Sequence, residues 1–395
     1  MIVFLCAAVP SARSGYGTRS LMIVAALAAI DEVRVVVMGD HSGIAEMGAL
    51  PLPNGRSAEL EHVHRDALVA RLQELAPGHL VAAETALAPA ALAAGGDVVV
   101  LLQNVESALW SEIASTSVGQ DRADAIQRSK MNLLIERQVL NRASQVWAVS
   151  EDDAKLVSKL VGAADFNQRV AIVPNVVNDP GPQRDRAAER GHGVFFGSLW
   201  WKPNEQAVVE LATLSRRLTA RAVSHRFSVA GQGASDNLRR LVSTGSATPD
   251  AGSLELVGFV PDLGAFLDTA ACAILPVLSG GGSMVKLIEA MRFGVPVITT
   301  PQGARGIAGL RSGVDLLVLP AGREFDDMCV DMLNHPEAFE EMGCRGREFV
   351  REHLSLSSLE GTVAALMERR RLEAGRQRGD QPKQGIGAVT TDRST

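Results

Sequence analysis

The chain has 395 residues, a net charge of -6 and an aromatic share of 4%. That length is enough for two domains with full cores, and the mildly acidic balance excludes a nucleic-acid binder built on a basic surface. The cysteines Cys6, Cys272, Cys329 and Cys344 are scattered without a CxxC pair, which argues against zinc and disulfides and for buried, reduced thiols in a cytoplasmic protein.

Ile2 to Ala7 reads as a buried strand, Pro10 to Arg19 as a glycine-containing loop, and Ser20 to Ile30 as a helix. Strand, glycine loop and helix open a doubly wound domain, whose ligands sit at the carboxyl end of the strand. Gly15 and Gly17 are therefore candidate ligand contacts, with a plain tight turn as the alternative. The apolar run Leu21 to Ile30 is too short to span a bilayer and no short basic segment precedes it, so neither a signal peptide nor a transmembrane helix is expected.

Val33 to Met38 is the next strand. His62 and His64 lack a third ligand at metal-binding spacing and read as surface residues. Ala82 to Ala94 reads as an alanine-rich helix. Asp97 to Leu102 is a strand that empties into Gln103, Asn104, Val105, Glu106 and Ser107, where a doubly wound domain places its site. An amphipathic helix follows at Asn132 to Ala143, then a strand at Gln145 to Val149. Ser150 caps the next helix, and Glu151, Asp152 and Asp153 suit its dipole, which accounts for these carboxylates without a catalytic role.

Residues 179–193, with Pro180 and Pro182 among glycines and charges, read as a linker between domains 1–178 and 194–353. Gly193 to Gly197 opens a second series of strands and helices. Phe227 to Ala230 runs into Gly231-Gln-Gly-Ala-Ser-Asp, which fails as a dinucleotide fingerprint because Asp236 stands where close helix packing wants Gly or Ala. Leu254 to Phe259 is a further strand.

Ala273 to Val277 is a strand, Ser279 to Ser283 a glycine-rich turn, Met284 to Phe293 a helix, and Val295 to Thr299 another buried strand. A glycine loop aimed at a helix N-terminus offers amide N–H groups and a positive dipole end to an anion, most simply a phosphate. The helix carries only Lys286, Glu289 and Arg292 among apolar residues, so these charges either pair in an i,i+3 ladder or line a cleft. After Val314 to Leu319 and two helices, Leu354 to Arg371 places Leu356, Leu359, Val363, Leu366 and Met367 on one face. From Gly375 to Thr395 the composition predicts a disordered tail.

The run with Gly280 to Gly282, Lys286, Glu289, Ala290, Met291, Gly294, Pro296 and Val297 resembles the donor-binding signature of retaining GT-B glycosyltransferases of family four. Further resemblances lie in the run from Glu136 to Asp153, in Val173 to Val177, and in Gly197, Trp201, Pro203 and Asn204 at the head of the second domain. The resemblance implies an α/β fold of two Rossmann-like domains facing a cleft, the last helix (354–372) crossing back to complete the first. It implies transfer of a sugar from a nucleotide diphosphate sugar to an acceptor, with retention and without a metal cofactor. The amides of Gly281, Gly282, Ser283 and Met284 would hold the diphosphate and Glu289 the ribose, with Gly15, Gly17, Ser198, Gly231, Phe259 and Val260 completing the donor site.

Three positions depart from the family pattern. Gly281 stands where much of the family has a sugar-contacting Glu, Gln103 where it has His, and Ser198 where it has a diphosphate-binding Arg. Gln103 keeps hydrogen-bonding capacity without a titratable proton, and Lys202 and Lys286 are left as cations for the leaving group. No Asp-x-Asp and no Walker loop occurs, against metal-dependent single-domain transferases and P-loop enzymes. The alternatives are a nucleotide-sugar binding protein without catalysis, and a sugar-nucleotide epimerase of the same fold. Glycan, lipid carrier, protein and small metabolite all stay open as acceptors, as does peripheral membrane contact.

Overall fold

The computed structural model describes residues 1–11, 14–39, 45–162, 166–180, 188–245 and 252–379. The first half runs β1 (Ile2–Cys6), α1 (Gly15–Ala28), β2 (Val33–Gly39), β3 (Ala45–Pro51), β4 (Ser57–His64), α2 (Leu68–Leu75), β5 (His79–Ala82), α3 (Ala88–Ala94) and β6 (Val98–Leu101). It continues with α4 (Glu106–Thr116), α5 (Gly119–Arg142), β7 (Gln145–Ala148), α6 (Glu151–Val161) and β8 (Val170–Ile172). The second half runs β9 (Glu189–Phe196), α7 (Lys202–Ala220), β10 (Arg226–Ala230), α8 (Asp236–Gly245), β11 (Ser253–Gly258), α9 (Leu263–Asp268) and β12 (Ala270–Leu275). It ends with α10 (Val285–Arg292), β13 (Val297–Thr299), α11 (Pro301–Ala304), β14 (Leu317–Val318), α12 (Arg323–Asn334), α13 (Glu340–His353) and α14 (Leu356–Gly379).

The strands form two sheets. One has the order β3-β4-β2-β1-β5-β6-β7-β8, parallel except for β3 against β4; the other has β11-β10-β9-β12-β13-β14, parallel throughout. In both, the strand order reverses beside the first strand, between β1 and β5 and between β9 and β12. The carboxyl ends at such a reversal form the crevice where doubly wound sheets bind ligands.

Strand alternation divides the first sheet's core into two faces. Ile2, Phe4 and Cys6 pack with α1 and with Leu356, Leu359, Val363 and Met367 of α14, while Val3 and Leu5 face a separate cluster that includes Leu68, Leu72, Leu140 and Val157. Burying four such α14 side chains contributes about 1.5–3 kcal/mol each as an upper estimate, which makes docking of this helix the dominant state. Polar contacts fix its register: Arg370 pairs with Asp97, Asn54 Nδ2 donates to Glu360 Oε1 at 2.9 Å, and Ser357 Oγ donates to Asp179 Oδ2 at 2.9 Å.

Several boundaries differ from the expectations. The loop Pro10 to Arg19 is helical from Gly15, because Ser14 caps α1 and its Oγ accepts from Gly17 N at 3.0 Å. Residues 82–87 are strand end and turn, so the expected alanine-rich helix is only its last seven residues. Val173 to Val177 is extended with a single bridge, Val177 to Ser355, and the strand of that region is β8. β9 begins at Glu189, so the end of the expected linker is strand, while 181–187 lie outside the described residues. Helix α14 continues through Gly379, which corrects the expected tail at 375–379; the remainder, 380–395, lies outside the described residues. Cys344 is exposed, because α13 turns Met342, Phe349 and Val350 inward and Cys344 falls off that face. Among the described residues no helix is long and apolar enough to cross a membrane.

Candidate active site

The glycine loop leaves β12 at the reversal point of the second sheet and touches the first half of the chain across the crevice. Gly280 and Gly282 have φ of +141° and +62°, conformations that other residues adopt only with strain. A Cβ on Gly281 would lie 2.7 Å from Asn104 Oδ1, and one on Gly282 would lie 3.3 Å from the Gln103 carbonyl. The loop therefore rests on the polar end of β6, which is a steric reason for glycine where the family pattern has a glutamate. Gln103 itself donates from Nε2 to the Ala83 carbonyl at 3.1 Å.

Behind the loop runs a buried relay from the first domain. Asn175 Nδ2 donates to the Ser283 carbonyl at 2.8 Å, and Asn175 Oδ1 accepts from Arg19 Nη1 at 3.2 Å. Arg19 Nε donates to the Leu102 carbonyl at 3.2 Å, and burial pushes the guanidinium down to about 9 although Asp153 pulls the other way. Among the described residues Arg19 Nη2 and Ser283 Oγ are buried with no hydrogen-bond partner. Each such group costs free energy until something polar meets it.

Lys286 lies on the first turn of α10, its Nζ donating to Asn204 Oδ1 and standing 4.5 Å over the Phe195 ring. Asn204 Nδ2 donates to the Ser198 carbonyl at 2.8 Å, which ties the head of α7 to the turn after β9. A Cβ on Gly197 would come within 3.0 Å of Lys286 Nζ, so this turn is held open for the ammonium. The residue is half-buried but its ammonium is withdrawn from water, and that desolvation pushes it down to about 7.

Glu289 pairs with Arg292, Nη1 to Oε2 at 3.0 Å, and burial raises its pKa while Arg292 opposes the shift. The i,i+3 pair left open by the sequence is thus formed between Glu289 and Arg292, and Lys286 takes no part in it. Among the described residues Glu289 Oε1 makes no hydrogen bond. Met284 is the N-cap of α10 without a side-chain cap, and Gly15 stands 3.8 Å, as measured from a built Cβ, from Val285. Gly17 packs on Ser11, where a Cβ would lie 2.3 Å from the carbonyl, and Gly231 packs on Gly197. Gly15 thus meets α10 across the crevice, and Gly231 packs on the Gly197 turn beside Lys286. Lys202 is half-exposed and paired with Glu205 at 3.3 Å, while Phe259 is exposed and Val260 half-buried after β11.

Two carboxylates also line the carboxyl ends of β5 and β6: Glu84, which the sequence did not single out, and Glu106, which it placed after the strand. Tyr16 OH donates to Glu84 Oε1 at 3.3 Å, and Asn104 Nδ2 donates to Glu106 Oε1 at 3.3 Å. Burial raises both carboxyls, and the charge of Glu106 raises Glu84 further. Glu112 of α4 and Gln302 and Arg305 at α11 converge on Gly280, and none of the three was singled out from the sequence.

With this geometry in place, the fold is GT-B: two doubly wound domains with their reversal points facing a common crevice. The model of the family described as Glycosyl transferases group 1 matches residues 190–335, a stretch within the second half of the chain that contains the glycine loop and α10. No curated protein matches the chain in sequence. Among solved structures it is similar to a sucrose-phosphate synthase from Thermosynechococcus elongatus, with a TM-score of 0.69 and 16% identity over 95% of this chain and 99% of that one. It is similar to HepE of Anabaena, solved with UDP-glucose, with a TM-score of 0.67 and 14% identity over 93% of this chain and all, 100%, of that one. A third similar structure is TarM of S. aureus, solved with UDP, with a TM-score of 0.61 and 12% identity over 76% of this chain. The chain spans 58% of the length of that TarM.

Proposed function

We propose that the chain is a glycosyltransferase that moves a sugar from a nucleotide diphosphate sugar to an acceptor, with retention and without a divalent metal. The observation that carries this reading is the glycine loop at the head of α10, the helix that bears Lys286 and Glu289, resting on Gln103, Asn104 and Asn175 of the other domain. The family model over 190–335 and the UDP-bound neighbours of the same fold support it. In such a site the chemical demand is to stabilise charge that grows on the departing diphosphate. On this reading the loop amides and Lys286 donate to that charge, at a site where electrostatic stabilisation is largest. On the same reading Glu289 accepts from the ribose hydroxyls, and Glu84 and Glu106 with Gln103 serve the transferred sugar and its acceptor.

The test is incubation with UDP-glucose, UDP-GlcNAc, GDP-mannose and ADP-glucose, with analysis of both nucleoside diphosphate and sugar products. Slow release of the nucleoside diphosphate from one donor is the expected result. Binding without release marks a non-catalytic nucleotide-sugar binder, and an isomerised donor marks an epimerase. The release rate is expected to be the same in excess EDTA; a loss restored by Mg2+ or Mn2+ would overturn metal independence.

The lowered Lys286 makes a second prediction. An anion binds its protonated form, so binding raises the pKa again, and affinity for a nucleoside diphosphate falls as pH rises above about 7, by up to about tenfold per pH unit. Calorimetry at pH 7.5 in buffers of different ionisation enthalpy is expected to register proton uptake, and Lys286→Met to abolish it. Uptake unchanged in the variant would remove Lys286 from the anion site.

A further inference from the structure

A carboxylate already sits where the proposed donor site would receive an anion. Glu112, on α4 of the first domain, accepts through Oε1 from the Gly280 amide at 3.2 Å and from Gln302 Nε2 at 2.9 Å. Its Oε2 accepts from Arg305 Nη1 at 3.2 Å. Gln302 Nε2 and Arg305 Nη2 also donate to the Gly280 carbonyl, so the loop is gripped from both sides of that peptide. A loop amide, a guanidinium and a side-chain amide converging on two oxygens form the donor set that a phosphate group requires. The carboxylate supplies the same two-oxygen edge with one negative charge.

The surroundings of α4 bear on what this contact does. Leu109, Ile113 and Ala114 of α4 pack with Ala125 of α5, and Trp201 at the head of α7 packs against that cluster. Glu112 thus belongs to a surface of the first domain that is laid against the second. The Glu112 and Arg305 side chains are both about one-third exposed, at 29% and 35%, so as a simple ion pair they would stabilise the fold little. Their geometry about Gly280 is better explained by an anion whose place Glu112 takes.

We propose that Arg305 is the guanidinium that holds the donor's diphosphate, taking the role left vacant by Ser198, and that Glu112 occupies its place until the donor arrives. The nucleotide diphosphate displaces Glu112 from Gly280 N and Arg305, which breaks a tie between α4 and the glycine loop as it forms the phosphate contacts. This rests on the donor reading of the site given above. In consequence, Glu112 competes with the donor and sets its affinity, and its charge, not its bulk, carries the competition.

The experiment is calorimetric titration of inorganic pyrophosphate, UDP, GDP and ADP into the full chain and into the variants Glu112→Gln, Glu112→Ala, Arg305→Ala and Glu112→Gln/Arg305→Ala, with melting curves beside each. Both Glu112 variants are expected to bind about threefold to tenfold more tightly than the unaltered chain, and Arg305→Ala about tenfold more weakly. In the double variant the gain from Glu112→Gln should vanish, because the two residues act on one another. Unchanged or weaker binding by the Glu112 variants overturns the competition, and unchanged binding by Arg305→Ala overturns the guanidinium's role. Absence of binding by the unaltered chain to all four compounds overturns the donor reading itself and this inference with it.

Discussion

Glu289→Ala is expected to weaken nucleoside diphosphate binding by about one to two orders of magnitude, since each charge-assisted hydrogen bond lost costs about 1.5–3 kcal/mol. The carboxylate is well enclosed, 18% exposed, and only Oε2 is engaged by Arg292. It sits on a helix whose neighbouring residues Leu287, Ile288, Ala290 and Met291 are buried. A purely structural role makes a different prediction. Arg292 already leaves Nε buried and unbonded, so removing its partner would lower the melting temperature while the folded fraction binds normally. Titration of the variant beside its melting curve separates the two, and unchanged affinity would take Glu289 out of the donor site.

Gly231→Ala is expected to cost about 3 kcal/mol or more in stability, and to lower the melting temperature by roughly 6–12 °C for a domain of this size. Gly231 has φ of +153°, and a Cβ there would lie 1.9 Å from the Gly197 carbonyl oxygen. Neither strain can be relieved locally, because Gly231 N is bonded to Gly258 O at 2.7 Å and Gly197 N to Ala230 O at 3.0 Å. The displaced Gly197 is also the residue against which Lys286 Nζ stands, so donor affinity should fall in the surviving folded fraction. A melting temperature within a degree of the unaltered chain would show that the turn after β10 adapts without the glycine.

Local chemistry made the second sheet readable. The Ala273 to Thr299 run announces strand, loop, helix and strand because apolar runs and glycines punctuate it, and β12, α10 and β13 follow within three residues. The first domain was less legible. Gly15 and Gly17 signalled a loop, but a single side-chain cap from Ser14 outweighed their low helix propensity. Strands β3 to β5 carry weak alternation, and the first half of the 24-residue α5 is predominantly polar, so its first turns left no periodic trace before the amphipathic stretch from Asn132. The site shows the same division. Lys286 and Glu289 stood out as charges in an apolar helix, whereas Asn175, Glu112 and Arg19 meet the loop only across 108, 168 and 156 residues of intervening chain or through one another, and no local pattern encodes that.

Helix α14 bears on how the chain is made. It covers one face of a sheet whose own strands end at Ile172, yet among the described residues it is the last helix to be synthesised. At about 5–20 residues per second, roughly 10–40 s separate translation of β8 from arrival of Met367. Throughout that interval the emerging polypeptide would expose the apolar strip that α14 later seals. Ribosome-bound chains truncated before Leu356 should therefore recruit chaperones and be cut by protease in their first half, and protection should appear only when the terminal helix has cleared the exit tunnel. The half that is translated first is completed last.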